Sequence, residues 1–172
     1  MSTVTERVHE HVRSNPGVHF TAIMEDLDIA TGQTQYHLRK LDRAGDIVTE
    51  EIRGQTHYFD QSYDPWERRV LAFARRETAR ALLAHLLEDG PLGAAELADR
   101  LELSRSTVAW HVSSLADAGI VEKSYGARGR VVVELVRPAE TRRLLGDVTP
   151  SLTDRLVDRF TRLVDEGLAD GD

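Results

Sequence analysis

The sequence predicts a mainly α-helical fold with small β-hairpins, arranged as two copies of one unit followed by a C-terminal helix. Apolar residues recur at helical spacing through most of the chain, and a short β-rich segment follows the third predicted helix of each half. The second half also repeats the first. Leu27 corresponds to Leu101, and the same separation relates Tyr36-His37-Leu38 to Trp110-His111-Val112. Agreement in the same order over roughly sixty positions indicates an internal duplication.

The first copy begins with a helix whose ends are marked by the sequence. Thr3 and Glu6 have the spacing of a capping box, so the helix is predicted to begin at Thr3. Asn15-Pro16-Gly17 stops it, because proline and glycine together favour a turn. Val18-His19-Phe20 is then predicted to be extended.

The rest of the first copy is predicted as two helices and a hairpin. The helices cover residues 21–27 and 31–44, with the tight turn Asp28-Ile29-Ala30 between them. Gly45 ends the longer helix. The hairpin has strands over residues 47–52 and 56–59, joined around Arg53-Gly54-Gln55.

The second copy contains the clearest single helix of the chain, which follows Ser104. Serine is a strong N-cap, because its hydroxyl accepts a backbone N–H that has no partner inside the helix. Val108, Val112 and Leu115 form one apolar stripe, and Gly119 ends the helix. In the hairpin that follows, Ala127-Arg128-Gly129 is aligned with Arg53-Gly54-Gln55 of the first copy.

Segments outside the two copies are also predicted to be helical. Residues 64–76 form a connecting helix with Pro65 in its first turn, either continuous with the next helix or separated from it by a kink. A short helix over residues 138–145 turns Leu144 and Leu145 inward. The predicted domains are 1–62, a connecting helix at 63–76, 77–137, and a C-terminal helical segment at 138–172.

Together these residues resemble the winged helix-turn-helix transcription regulators of the ArsR/MarR-like kind found in archaea. The resemblance lies in an aromatic-His-apolar triplet, a leucine three positions after it, and an Ala-Gly exit into a β-strand. In this sequence the motif reads Tyr36-His37-Leu38, Leu41, Ala44-Gly45-Asp46-Ile47-Val48 and Trp110-His111-Val112, Leu115, Ala118-Gly119-Ile120-Val121. The resemblance covers nearly all of residues 3–137 and implies a recognition helix in the DNA major groove beside a β-wing.

Composition limits the classes of function. The chain has no cysteine, so it has neither a disulfide framework nor a thiolate metal site. It lacks an apolar run of membrane-spanning length and an N-terminal signal segment, which predicts a cytoplasmic protein with no membrane partner. The net charge is −7, and Lys40 and Lys123 are the only lysines, which is typical of proteins from a salt-rich, halophilic cytoplasm.

The predicted DNA-binding residues occupy the outer faces of the two recognition helices and the tips of the two wings. In the second copy they are Arg105, Ser106, Ala109, Trp110, Ser113, Ser114, Arg128 and Arg130. In the first copy they are Gln33, Gln35, Tyr36, Arg39, Lys40 and Arg53. Arginine suits guanine and glutamine suits adenine in the major groove, and wing arginines suit phosphates or the minor groove.

Local charge favours the second copy as the one that chiefly contacts DNA. Residues 104–131 carry four cations and two acids, whereas residues 31–57 carry four of each. The first copy is predicted either to extend the contact with DNA or to sense a signal, with an effector ligand or partner protein left open.

The C-terminal segment is predicted to form a homodimer. Its apolar seam consists of Leu152, Leu156, Phe160, Leu163 and Val164. A two-fold dimer matches a palindromic DNA site. The alternative is that this helix packs back on its own second domain.

The predicted function is sequence-specific DNA binding in transcription regulation. The alternative is a tandem winged-helix scaffold for protein interaction in a chromosome-organising or transcription complex, without sequence reading. No catalytic motif, metal-ligand spacing or cofactor loop stands out in the sequence, so neither an enzyme, a metal site nor a cofactor is expected.

Overall fold

The computed structural model describes residues 2–148 and contains two similar units joined by a helix. The first unit has three helices, α1 (Val4–Ser14), α2 (Phe20–Leu27) and α3 (Thr31–Ala44). The joining helix is α4 (Pro65–Ala74). The second unit has α5 (Glu77–Asp89), α6 (Ala94–Leu101) and α7 (Arg105–Asp117), and α8 (Pro138–Asp147) follows it.

Each unit carries a three-stranded antiparallel sheet of the same topology. In the first unit β1 (Val18–His19) pairs with β3 (Gln55–Asp60), which pairs with β2 (Ile47–Ile52). In the second, β4 (Leu92–Gly93) pairs with β6 (Val131–Leu135), which pairs with β5 (Val121–Tyr125). The predicted fold class, mainly α with small hairpins in two tandem winged units, is therefore confirmed.

Backbone conformation repeats along with the elements. Asp28 and Glu102 end α2 and α6, and both are left-handed, with φ of 51° and 55°. The conformation of the wing tips also repeats, but the separation between equivalent residues is one residue longer there than in the helices. Arg53 and Arg128 are the left-handed residues there, with φ of 53° and 62°. Arg53 therefore corresponds to Arg128, not to Ala127 as the sequence alignment had it, because the second unit has one extra residue before its wing tip.

Local capping explains where the best-predicted helices begin. The Thr3 hydroxyl accepts the Glu6 backbone N–H at 3.2 Å, and the Glu6 carboxylate accepts the Thr3 N–H at 2.7 Å, which is a complete capping box. Ser104 accepts the Thr107 N–H at 3.1 Å. Phe20 differs from the prediction: it begins α2 and packs against the first core instead of extending β1.

The joining helix and α5 are two helices, so the kinked alternative is the correct one. Arg76 has extended backbone, with φ of −89° and ψ of 125°, and α5 begins after it. Arg75 is buried, and its Nε and Nη2 donate to the Pro16 carbonyl oxygen at 3.0 and 2.9 Å. A buried guanidinium needs such acceptors, so this contact ties the break between the two helices to the first unit.

Two hydrophobic cores hold the fold together. The smaller one lies inside the first unit, among Val8, Val12, Ile23, Leu38 and Leu41. The larger one contains the apolar residues of the second unit together with those of α4 and α8. It also includes two residues of the first wing, Ile52 and Phe59. The first wing thus contributes these two side chains to the core of the second unit.

The end of the chain lies outside the described residues. Leu144 and Leu145 on α8 are buried as predicted. The predicted dimerisation seam, Leu152 to Val164, is not among residues 2–148. Within the described part of the chain, no helix combines the length and the apolar character needed to cross a bilayer.

Candidate nucleic-acid interface

Helix α7 buries one face and exposes the other. Val108, Val112 and Leu115 are buried in the larger core, as their spacing predicts. The opposite face exposes four of the predicted contact residues, Arg105, Ser106, Ala109 and Trp110. Ser113 and Ser114 are half-buried farther along the helix. The six predicted residues of this helix therefore lie outside the core, and the most exposed ones are in its N-terminal half.

The C-terminal end of α7 is fixed by α4. The indole Nε1 of Trp66 donates to the Gly119 carbonyl oxygen at 2.8 Å, and Arg69 Nε donates to the Ala118 carbonyl oxygen at 2.9 Å. Carbonyl groups at a helix end have no partner within the helix, and a cation there also complements the helix dipole. These contacts anchor one end of α7 and leave its N-terminal end open to a ligand.

The second wing extends from the body of the protein beside α7. Val121 is buried, but every residue from Glu122 to Arg130 is exposed. Lys123 Nζ donates to the Ser113 hydroxyl at 3.3 Å, which joins the base of the wing to the recognition helix. Arg128 and Arg130 lie at the tip, as predicted.

The first wing has a different environment from the second. Ile52 is only 9% exposed. The guanidinium carbon of Arg53 lies 4.2 Å from the ring centroid of Trp110 and 5.2 Å from that of Phe73. Arg53 therefore lies on the second recognition helix, whereas the sequence predicted a wing tip that reaches DNA. Its direct contact with DNA stays a prediction, which this placement does not favour.

The first recognition helix, α3, presents its predicted residues to solvent. Gln33, Gln35, Tyr36, Arg39 and Lys40 are all exposed, and Tyr36 is 63% exposed. A cleft of about 270 Å³ lies between α3 and the first sheet, and Gln35, Arg39, Asp42 and Tyr58 are among the residues that line it. Burial and the neighbouring Asp42 carboxylate raise the pKa of Tyr58.

Both recognition helices carry the same ring pair. Tyr36 lies edge-on to His37, with ring centroids 5.1 Å apart, and Trp110 lies edge-on to His111 at 4.9 Å. His37 Nδ1 is also hydrogen-bonded to the Thr5 hydroxyl at 2.9 Å, which links α3 to α1. In each recognition helix, the histidine thus packs edge-on against the exposed aromatic residue that precedes it in the sequence.

One histidine of the first unit is buried within the sheet. His57 Nδ1 lies 2.8 Å from the Gly17 carbonyl oxygen, so Nδ1 carries the proton and donates it. The His19 ring is 4.4 Å away. Burial lowers the pKa of His57 to about 4, assisted by His19, Arg76 and Arg75 and opposed by the hydrogen bond to Gly17. His57 is therefore neutral at neutral pH and has a structural role.

A group that the sequence analysis did not single out lies near the end of α5. His85, Glu88 and Asp89 each place one potential metal-ligand atom within 4.8 Å of the others. Asp89 is already paired with Arg100, and both acids are exposed. Exposed carboxylates on one helix turn are common without a metal, so we assign none here.

Sequence reasoning missed the residues that position the surface. Trp66 and Arg69 lie within the predicted connecting helix at 64–76 but were given no capping role there, although an indole N–H and a guanidinium near a helix end are potential caps. No local signal marks the pairing of Arg53 with Trp110, because these residues come from different units.

Family comparisons cover most of the described chain. Residues 2–71 match a family described as an N-terminal HTH domain. Residues 75–122 match a family described as winged helix-turn-helix DNA-binding. The second match ends just inside β5, so it includes all of α7 but not the wing tip.

Two curated relatives are similar over part of their length. An uncharacterized HTH-type transcriptional regulator of Methanocaldococcus jannaschii is 24% identical over 132 residues, which are 77% of this chain and 33% of that protein. An HTH-type transcriptional regulator of Mycobacterium tuberculosis is 39% identical over 100 residues, which are 56% of this chain and 37% of that protein. The chain thus matches about a third of the length of each relative.

Among solved structures, ScpB from Mycobacterium tuberculosis superposes with a TM-score of 0.32 and 14% identity, covering 84% of this chain and 98% of that one. A superposition this loose supports no argument about fold or function. The duplicated topology and the two family matches agree instead: residues 2–148 form two tandem units with the winged helix-turn-helix architecture.

Proposed function

We propose that this protein binds double-stranded DNA with sequence preference and regulates transcription in the cytoplasm. The observation that carries this proposal is the surface formed by α7 and the second wing. There, Arg105, Ser106 and Ala109 are exposed at one end of an anchored helix, beside a projecting wing tip with Arg128 and Arg130. The family match of the second unit to winged helix-turn-helix DNA-binding domains and the names of the two relatives support it.

Each residue of this surface has a proposed role. Arg105 is the first residue of α7, the part of a recognition helix that faces base edges, and its guanidinium suits guanine O6 and N7. Ser106 and Ser114 suit phosphate oxygens. Ala109 permits close approach of the helix to the groove. Arg128 and Arg130 neutralise phosphates or enter the minor groove.

The charge distribution supports this choice of surface. The whole chain carries a net charge of −7, which repels DNA at long range. Near the surface, however, the four cations of residues 104–131 outnumber the two acids. Salt screens the long-range repulsion over about 10 Å or less, so the net charge of the whole chain does not prevent binding, although the same salt also weakens each phosphate contact.

The first unit is proposed to contribute a second DNA surface through α3. Its exposed glutamines suit adenine, and Arg39 and Lys40 suit phosphates. The cleft beside Gln35 and Arg39 offers a place for a small effector that would compete with this contact. Two chains are proposed to pair through the seam at residues 152–164, so that two copies of α7 read a two-fold site about one helical turn apart, ~34 Å.

Selection from a random-sequence duplex library tests the proposal. The 172-residue chain, incubated at molar KCl and at lower salt, is expected to enrich a short motif with two-fold symmetry. It should bind the enriched duplex at least ~10³-fold more tightly than a scrambled duplex. A failure to enrich any sequence would overturn the proposal and favour the interaction scaffold.

A further inference from the structure

The two wing tips present the same residue in two different environments. Arg53 and Arg128 both have left-handed backbone and both precede a glycine at the turn of a hairpin. Arg128 lies on a wing whose outer half is wholly exposed. Arg53 instead lies over the Trp110 ring of the second recognition helix, at 4.2 Å. Arg53 is exposed as Arg128 is, but it lies at the junction of the two units, whereas Arg128 does not.

Several contacts besides this one fix the first wing at that junction. Ile52, next to Arg53, belongs to the core of the second unit. On β2, the Glu50 carboxylate accepts from Arg68 Nε of α4 at 2.5 Å. At the start of β3, Gln55 Oε1 accepts from Arg76 at 2.8 Å. Arg53 is therefore carried by a hairpin anchored on both of its strands, so its position relative to α7 is well defined.

Trp110 is the residue on α7 that most needs such a support. Its indole is 45% exposed, although it is the largest side chain of the predicted DNA surface. The Trp110 ring contacts the His111 ring edge-on, and the guanidinium of Arg53 lies over it. A large exposed ring otherwise samples several rotamers, and ordering it upon binding costs conformational entropy.

We propose that Arg53 is a positioning residue, through which the first unit sets the orientation of Trp110 on the second recognition helix. The first wing then serves as a brace for the reading helix of its neighbour, and the second wing alone contacts DNA. The first unit would thereby tune the base preference of the second without touching the bases that the second reads. This inference rests on the proposed DNA-binding function.

The salt dependence of binding distinguishes a brace from a phosphate contact. A residue that neutralises one phosphate contributes about 0.9 to the slope of log K against log salt concentration, whereas a residue that only orients another contributes nothing. The probe is the duplex most enriched from the random library, compared with the same duplex changed at one base pair. The variants are Arg53→Ala and Arg53→Lys, with Arg128→Ala as the matched control at the equivalent left-handed position.

Arg53→Ala is expected to raise Kd for the enriched duplex by about 2- to 30-fold, the range that cation–π energies convert to. It should also reduce discrimination against the changed duplex and leave the salt slope unaltered. Arg53→Lys should recover part of the affinity, because lysine keeps a cation near the Trp110 ring. Alanine and lysine experience similar strain in a left-handed conformation, so backbone strain does not account for a difference between the two variants. Arg128→Ala should lower the slope by about 1 and weaken both duplexes equally.

Two results would overturn the brace: a slope that falls by about 1 in Arg53→Ala, or parental affinity and discrimination in that variant. A parental protein that selects no duplex would overturn the proposed function instead. The contact itself is then tested without DNA, by a double-mutant cycle of Arg53→Ala and Trp110→Ala in urea unfolding. A non-additive cycle supports the contact between the units, and an additive one overturns it.

Discussion

The indole of Trp66 donates a 2.8 Å hydrogen bond to the carbonyl oxygen of Gly119, two residues after the C-terminal end of the second recognition helix. Trp66 lies in the first turn of α4 and is 7% exposed, and the Arg137 guanidinium lies over its ring at 4.6 Å. One aromatic residue of the joining helix therefore binds the end of α7 and also the segment before α8. The C-terminal end of α7 therefore depends on the helix that connects the two units.

Replacing Trp66 with Phe should destabilise the protein by about 1–3 kcal/mol. The change removes the only donor of the indole and leaves the Gly119 carbonyl without this partner, and it also leaves a small cavity. Urea unfolding followed by circular dichroism measures the effect. Tyr125→Phe, on the exposed second wing, is the control and should change stability by less than about 0.5 kcal/mol. Equal midpoints for the two variants would contradict the role given to Trp66.

Stability should fall with acid because of His57. Its pKa is lowered to about 4 by burial in the folded state, against an ordinary value near 6.5 in the unfolded chain. Between these pH values the unfolded state binds the proton more readily, so stability decreases as pH falls from about 6.5 to about 4. Above that range the unfolding free energy is not reduced by His57, and across the range it falls by about 3 kcal/mol.

The variant His57→Asn separates this contribution from that of other groups. Asparagine keeps an N–H donor for the Gly17 carbonyl but does not titrate. Between pH 6.5 and 4 the unfolding free energy of the variant should depend less steeply on pH than that of the parent. The difference in slope should correspond to about one proton fewer taken up on unfolding. His11, whose pKa is lowered chiefly by burial, contributes to both proteins equally. Parallel curves for parent and variant would exclude His57 as the source of the acid sensitivity.

Local signals in the sequence were sufficient to predict the recognition helices and the two hairpins, but not strand β4 or the start of α2 at Phe20. The capping box at Thr3, the serine cap at Ser104 and the helix-ending Gly45 act within a few residues, so the helices they bound are predictable from short windows. The repeat then supported the fold class, because two copies of one pattern constrain each other. For the same reason the exposed faces of α3 and α7 were predicted from spacing alone.

The arrangement of the two units could not be predicted in this way. Arg53 and Arg128 both precede a glycine at a wing tip, and the buried Ile52 together with the rings of Phe73 and Trp110 gives Arg53 its different environment. Likewise, at the break between α4 and α5, Arg75 donates to the carbonyl oxygen of Pro16, which lies in a distant turn. Contacts between residues far apart in the chain leave no periodic signal in the sequence.

The second wing should contribute affinity without sequence preference. Replacing both Arg128 and Arg130 with Ala is expected to lower the slope of log K against log salt by about 2, with equal weakening of enriched and scrambled duplexes. Fluorescence anisotropy over a salt series provides the measurement. Arg13→Ala, which removes one exposed cation from α1, is the control and should leave the slope unchanged. A double variant with the parental slope would show that the wing does not contact phosphates.

The homodimer prediction is tested in the full-length chain. Exchanging Leu156 and Phe160 for Asp should convert a dimer to a monomer in sedimentation equilibrium, because two charges in an apolar seam oppose its burial. Binding to a two-fold duplex should weaken, while the circular dichroism spectrum stays close to that of the parent. A parental protein that sediments as a monomer at micromolar concentration and when bound to DNA would contradict the prediction.

The most direct test of the central claim is the binding of Arg105→Ala to the duplex enriched by the parent. Arg105 is exposed at the first position of α7, so its removal should leave the fold intact. We expect a loss of about 1–3 kcal/mol in affinity for the enriched duplex and relaxed preference at one base pair, with a much smaller change for a scrambled duplex. If the variant binds the enriched duplex with parental affinity and preference, α7 is not the helix that reads DNA.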